Sequence, residues 1–94
     1  MPTDQLIIKG RVQGVFFRAT AKDMADELGI TGWVKNTDEG NVEIIATGTE
    51  EQLRKFIEWC KKGPRKAIVT DVEISKKDKE ENFKSFQVIR GHRI

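Results

Sequence analysis

The segment Gly10-Arg11-Val12-Gln13-Gly14-Val15-Phe16-Phe17-Arg18 has the residue types needed to hold an anion. Gly10 and Gly14 let the backbone turn and approach a ligand closely, so that several N–H groups can face one concavity. A helix beginning at Phe17 adds unsatisfied N–H groups and the positive end of its dipole. Arg18 then supplies a planar fork of donors suited to two-point phosphate binding. The chemistry indicated is the binding of a phosphate or carboxylate. Taken alone, the segment also fits a plain strand-to-helix turn carrying a solvated arginine. Neither G-x-x-x-x-G-K-[ST] nor G-x-G-x-x-G occurs, which argues against nucleotide binding of those types.

Other chemistry has little to draw on. The single histidine, His92, stands near the carboxyl end and reads as a solvated tail residue, and no H-x-x-x-H or C-x-x-C spacing is present. No metal site and no cofactor are therefore expected. The single cysteine, Cys60, falls in the apolar stripe of a helical segment and reads as a small buried hydrophobe, so it is not expected to act as a nucleophile.

The elements that must position these residues follow from hydrophobic period. Residues 5–12 set Leu6, Ile8 and Val12 against Gln5, Lys9 and Arg11, with Gly10 on the first face, and predict a half-buried strand. From Phe17 the period becomes helical through Ala21, Met24, Ala25 and Leu28, and Gly29 supplies a left-handed cap against which Ile30 can pack. Residues 31–36 and 41–47 predict a hairpin of strands joined by Thr37-Asp38-Glu39-Gly40. Thr49 and Gln52 form a capping-box pair for a second helix with the stripe Leu53, Phe56, Ile57 and Cys60, stopped by Gly63-Pro64. Residues 67–74 predict a fourth strand and 76–81 a solvated, mixed-charge loop. A short last strand is predicted over 83–90, with no assigned place in the sheet.

The order β-α-β-β-α-β plus a short carboxyl-terminal strand predicts an α+β fold of the ferredoxin-like split βαβ type, with both helices on one face of a mainly antiparallel sheet. With 94 residues the chain is expected to form a single domain, 1–94. The 17 basic and 15 acidic residues are intermixed and leave a net charge of +2, so no strong field toward nucleic acid or membrane results. No apolar run approaches the roughly 20 residues needed to cross a bilayer, and the expected location is the cytoplasm. In this topology the first loop and the β-hairpin can lie at neighbouring ends of the sheet. Asn36 would then approach the glycine loop, where its carboxamide could orient a water; its other reading is a turn-initiating residue.

The chain resembles the acylphosphatase family through two motifs, the segment from Gly10 to Arg18 and Gly32-Trp33-Val34-Lys35-Asn36-Thr37-Asp38-Glu39-Gly40. The resemblance runs from the first strand to about Arg90. It implies metal-independent hydrolysis of the carboxyl-phosphate bond of a small-molecule acyl phosphate, giving a carboxylate and inorganic phosphate. It also implies that Arg18 and Asn36 are the catalytic residues: Arg18 binds the phosphoryl oxygens and Asn36 positions the attacking water. Gln13, Gly14, Val15, Phe16 and Phe17 would complete the phosphate cradle with Arg18, Gln13 and Phe16 acting through main-chain donors and loop geometry. The leaving carboxylate has a conjugate acid titrating near ~4, so no general acid is needed at neutral pH. The tail, Arg90-Gly91-His92-Arg93-Ile94, departs from the Arg-aromatic ending frequent in the family, which leaves a contact from the carboxyl end to the site in doubt.

Two further readings stand beside this one. One is a non-catalytic acylphosphatase-like binding module, for which Trp33 and Trp59 would offer an interface, although packing accounts for both. The other is a ferredoxin-like RNA-binding domain, which would display aromatic residues on its sheet. The run Asn41-Val42-Glu43-Ile44-Ile45-Ala46-Thr47 has none. A monomer without nucleic-acid or membrane partners is the expected state.

Overall fold

A computed structural model describes residues 1–77 and 82–90. Its elements are β1 (Thr3–Arg11), α1 (Phe17–Leu28), β2 (Thr31–Asn36), β3 (Val42–Thr47), α2 (Glu50–Lys62), β4 (Ile68–Lys76) and β5 (Phe86–Ile89). The strands form one sheet in the order β4-β1-β3-β2-β5. β1 is antiparallel to β3 and β4, β2 is antiparallel to β3, and β5 runs parallel to β2 at the edge. This is the ferredoxin-like α+β arrangement expected from the element order.

One core joins the sheet to both helices. Leu6 and Ile8 of β1, Val34 of β2, Val42 and Ile44 of β3 and Phe86 of β5 are buried with Phe17, Ala21 and Ala25 of α1 and Leu53, Phe56 and Cys60 of α2. Each large side chain in this layer contributes about 1.5–3 kcal/mol by leaving water. Aromatic contacts tie the layer together: Phe17 to Trp59 at 5.3 Å between ring centres, Phe56 to Trp59 at 6.2 Å and Phe56 to Phe86 at 5.9 Å. Trp59 is thus occupied in packing.

Several boundaries differ from the sequence expectation, and pairing explains each. β1 begins at Thr3 because polar residues extend it. The Thr3 and Thr47 hydroxyls meet at 2.7 Å, and the buried Asp4 faces Lys76 Nζ at 3.3 Å. The same register, Asp4 opposite Lys76, carries β4 two residues beyond its apolar stretch. The charged run expected as a loop therefore begins inside β4, and its part from 78 to 81 lies outside the described residues. β5 is shorter than expected, and Phe86 is its only buried side chain. Residues 91–94, including His92, also lie outside the described residues.

Register decides what shares one end of the sheet. Ile8 of β1 faces Val42, the first residue of β3, and Val42 in turn faces Asn36, the last residue of β2. The chain leaving β1 must therefore pass beside the β2–β3 turn. A register shift between Lys9 and Gly10 bends β1 as it exits. Gly10 sits there at φ 123°, and a Cβ at that position would strike the Ile68 carbonyl oxygen of β4. Only glycine permits that approach.

Candidate active site

The two helices treat their amino ends differently. α2 closes its own: Thr49 Oγ1 accepts from the Gln52 N–H at 3.1 Å, Gln52 Oε1 accepts from the Thr49 N–H at 2.8 Å, and Glu50 and Glu51 stand in the first turn. α1 has no side-chain cap and no acidic residue in its first turn. Its first intrahelical bond runs from the Thr20 N–H to the Phe16 carbonyl at 3.1 Å. The N–H groups of residues 13–19 find no carbonyl acceptor among the described residues. Such a series of donors at the positive end of a dipole has the chemistry to hold an anion.

Loop geometry keeps these donors together. Gly14 adopts φ 76° and Phe16 φ 64°. For phenylalanine this left-handed conformation costs about 1–2 kcal/mol. The Phe16 carbonyl is held by Thr20 twice, through its N–H at 3.1 Å and its hydroxyl at 2.8 Å. The Phe16 ring is 79% exposed, whereas Val15 and Phe17 on either side turn into the core. The side chains of this loop thus alternate between anchoring it and leaving it open.

A cavity of about 290 Å³ lies at this end of the sheet, lined in part by Gly14, Phe16, Phe17, Arg18, Asn36 and Arg90. An adjoining one of about 400 Å³ shares Arg18 and Asn36 and adds Gln13, Lys35, Thr37, Asp38 and Ile89. Arg18, Asn36 and the glycine loop therefore converge, as anticipated. Of the cradle residues only Val15 lines neither cavity, and its side chain belongs to the core.

Arg18 is the second residue of α1, where a cation opposes the helix dipole at a cost of about 0.3–1 kcal/mol. Its guanidinium pairs with no carboxylate among the described residues; Nη1 donates to the Ile89 carbonyl at 3.2 Å. The last strand reaches this site: β5 holds Arg18 through Ile89, and Arg90 lines the cavity, while residues 91–94 of the departing tail lie outside the described residues. Lys22 strengthens the arrangement by donating to the Phe86 carbonyl at 3.0 Å, fastening β5 to α1. Hydrophobic period carried no signal for these contacts, because the last strand is short and its partner is chosen by tertiary packing. Gln13 does more than expected of it, since its side-chain amide donates to the Thr37 carbonyl at 2.9 Å and the Asn41 carbonyl at 2.8 Å.

Cys60 is fully buried, and burial pushes its thiol well above the ordinary range. Because the thiolate is the nucleophile, a raised value means an inert group at neutral pH. Alkylation of Cys60 by iodoacetamide at pH 8 is expected to run roughly 10²-fold slower in the native protein than in the unfolded chain. Treatment under native conditions should leave turnover intact; rapid inactivation tracking modification of Cys60 would contradict this assignment.

Comparison with known proteins agrees with the geometry. The acylphosphatase family model matches residues 4–88. An acylphosphatase of Marinobacter nauticus is 43% identical over 82 residues, covering 87% of this chain and 89% of its own length. One from Legionella pneumophila is 46% identical over 82 residues with the same coverage, 87% and 89%. The crystal structure of the Bacillus subtilis acylphosphatase superposes with a TM-score of 0.92 at 39% identity, covering 96% of this chain and 100% of that one. A match of that extent, in sequence and in fold, means that the chain belongs to the acylphosphatase family, the enzymes that hydrolyse acyl phosphates.

Proposed function

We propose that the phosphoryl group of an acyl phosphate docks against the N–H groups at the amino end of α1, with Arg18 binding its oxygens and Asn36 orienting the attacking water. One observation carries this reading: Gly14, Phe16 and Phe17 from the stretch whose N–H groups find no carbonyl among the described residues, Arg18 with no carboxylate partner among them, and Asn36 all line one cavity. The water oxygen forms a bond to phosphorus while the bond from phosphorus to the acyl oxygen breaks, and that electron pair departs on the carboxylate. The water's proton passes to a phosphate oxygen. Phosphoryl transfer has a loose transition state, so positioning and charge stabilisation suffice for most of the acceleration. The carboxylate leaves without protonation at neutral pH.

Arg90 and the exposed Phe16 ring border the cavity and would face the acyl portion. Steady-state hydrolysis of benzoyl phosphate is the direct test. Activity is expected to survive excess chelator, and inorganic phosphate is expected to inhibit competitively. Activity abolished by the chelator and restored by a metal, or phosphate that fails to compete, would overturn the reading.

A further inference from the structure

We infer that Gln13 is a positioning residue, whose side chain fixes Asn36 against the phosphate loop. The inference rests on the role given above to Asn36. Gln13 leaves the end of β1, and its Nε2 reaches across the site to donate both of its hydrogens, to the Thr37 carbonyl at 2.9 Å and the Asn41 carbonyl at 2.8 Å. These two carbonyls flank the β2–β3 turn, and Thr37 directly follows Asn36. Only the nitrogen of a carboxamide can serve two carbonyls at once, so the partners also fix which way the amide lies.

The turn does not need this help to close. Its own bonds run from the Thr37 N–H to the Asn41 carbonyl at 2.9 Å and from the Gly40 N–H to the Thr37 carbonyl at 3.1 Å. The Asn41 N–H donates in addition to Thr37 Oγ1 at 3.1 Å. Asn36 is held in its ladder opposite Val42. These bonds close the turn on itself, and Gln13 ties it to the phosphate loop. It joins the backbone that receives the phosphoryl group to the turn beside the residue that aims the water. The separation of those two parts sets the attack geometry, to which rate is steeply sensitive.

A double-mutant cycle of Gln13→Met with Asn36→Ala tests this, with kcat, KM and the inhibition constant of inorganic phosphate measured for all four proteins. Methionine keeps length and flexibility but has no donor. Gln13→Met is expected to lower kcat by about 10- to 100-fold while phosphate inhibition changes by less than about twofold. In the Asn36→Ala background the same change should cost less than about threefold, because the residue it positions is gone. An equal factor in both backgrounds, a loss confined to phosphate binding, or an unchanged kcat in the single variant would overturn the proposal alone. Undiminished kcat in Asn36→Ala would overturn the role of Asn36 and this proposal with it. Should Gln13→Met fail to fold, Gln13→Glu keeps the shape, and its ionised carboxylate has no donor for either carbonyl. Protonation restores one donor, so its kcat relative to wild type should rise as pH falls through the carboxyl range near ~4.3. A ratio independent of pH would refute the role.

Discussion

Replacing Arg18 by Gln is expected to lower kcat/KM for benzoyl phosphate by about 10³-fold, the scale of removing a charged transition-state donor. Both kcat and phosphate affinity should fall, because in the proposed mode of binding the guanidinium contacts the phosphoryl oxygens before and during transfer. The protein should remain folded. The buried residues of α1 are Phe17, Ala21 and Ala25, and among the described residues Arg18 contributes only an exposed bond to the Ile89 carbonyl. Loss of that bond is opposed by relief of the cation at the positive end of the helix, about 0.3–1 kcal/mol. The melting temperature is therefore expected to change little. Arg18→Lys separates charge from shape: it keeps the charge but loses the planar fork, so its activity should fall between wild type and Arg18→Gln. Undiminished turnover in Arg18→Gln, with the protein shown to be folded, would remove Arg18 from the site.

The glycine loop and Arg18 pointed to an anion in the sequence, and the structure adds that Arg18 is unfavourably placed for its helix. Local rules ask for an acidic residue or a cap at the start of a helix, and α2 obeys them with Thr49, Gln52, Glu50 and Glu51. α1 breaks them with an arginine and a left-handed phenylalanine. Departures from local consistency concentrate at functional sites, where a ligand supplies the missing term. An anion at the amino end of α1 would pair with Arg18, satisfy the N–H groups of residues 13–19 and reverse the dipole conflict in one step.

What stayed hidden depended on pairing between distant segments. Period assigned Leu6, Ile8 and Val12 to the buried face, because alternation is a local property. It had no means of assigning β5 to the edge beside β2, since Phe86 is that strand's one buried side chain. The bonds from Arg18 to Ile89 and from Gln13 to Thr37 and Asn41 join residues far apart in sequence and depend on that strand order. The early part of β1 was missed for a related reason. Thr3 and Asp4 are polar yet buried, because Thr47 and Lys76 meet them from the two neighbouring strands.

Replacing Asn36 by Ala is expected to lower kcat by about 10²- to 10³-fold while leaving inhibition by phosphate nearly unchanged. The contrast with Arg18 is the essential point. A group that aims the water contributes to the approach of the nucleophile, whereas phosphate as an inhibitor brings no nucleophile to be aimed. Truncation should not disturb the fold, because Asn36 keeps its main-chain pairing opposite Val42 and the turn beyond it closes through its own hydrogen bonds. Asn36→Asp sharpens the test. The carboxylate is nearly the same shape, but it can only accept hydrogen bonds, and its charge would face the phosphoryl anion across a cavity of about 290 Å³. Activity should therefore be low at neutral pH and recover in part as the carboxyl protonates, the reverse of what a general base at this position would show. If Asn36→Asp instead exceeded wild type at neutral pH, base catalysis would be limiting, and water orientation by a neutral amide would no longer account for the rate.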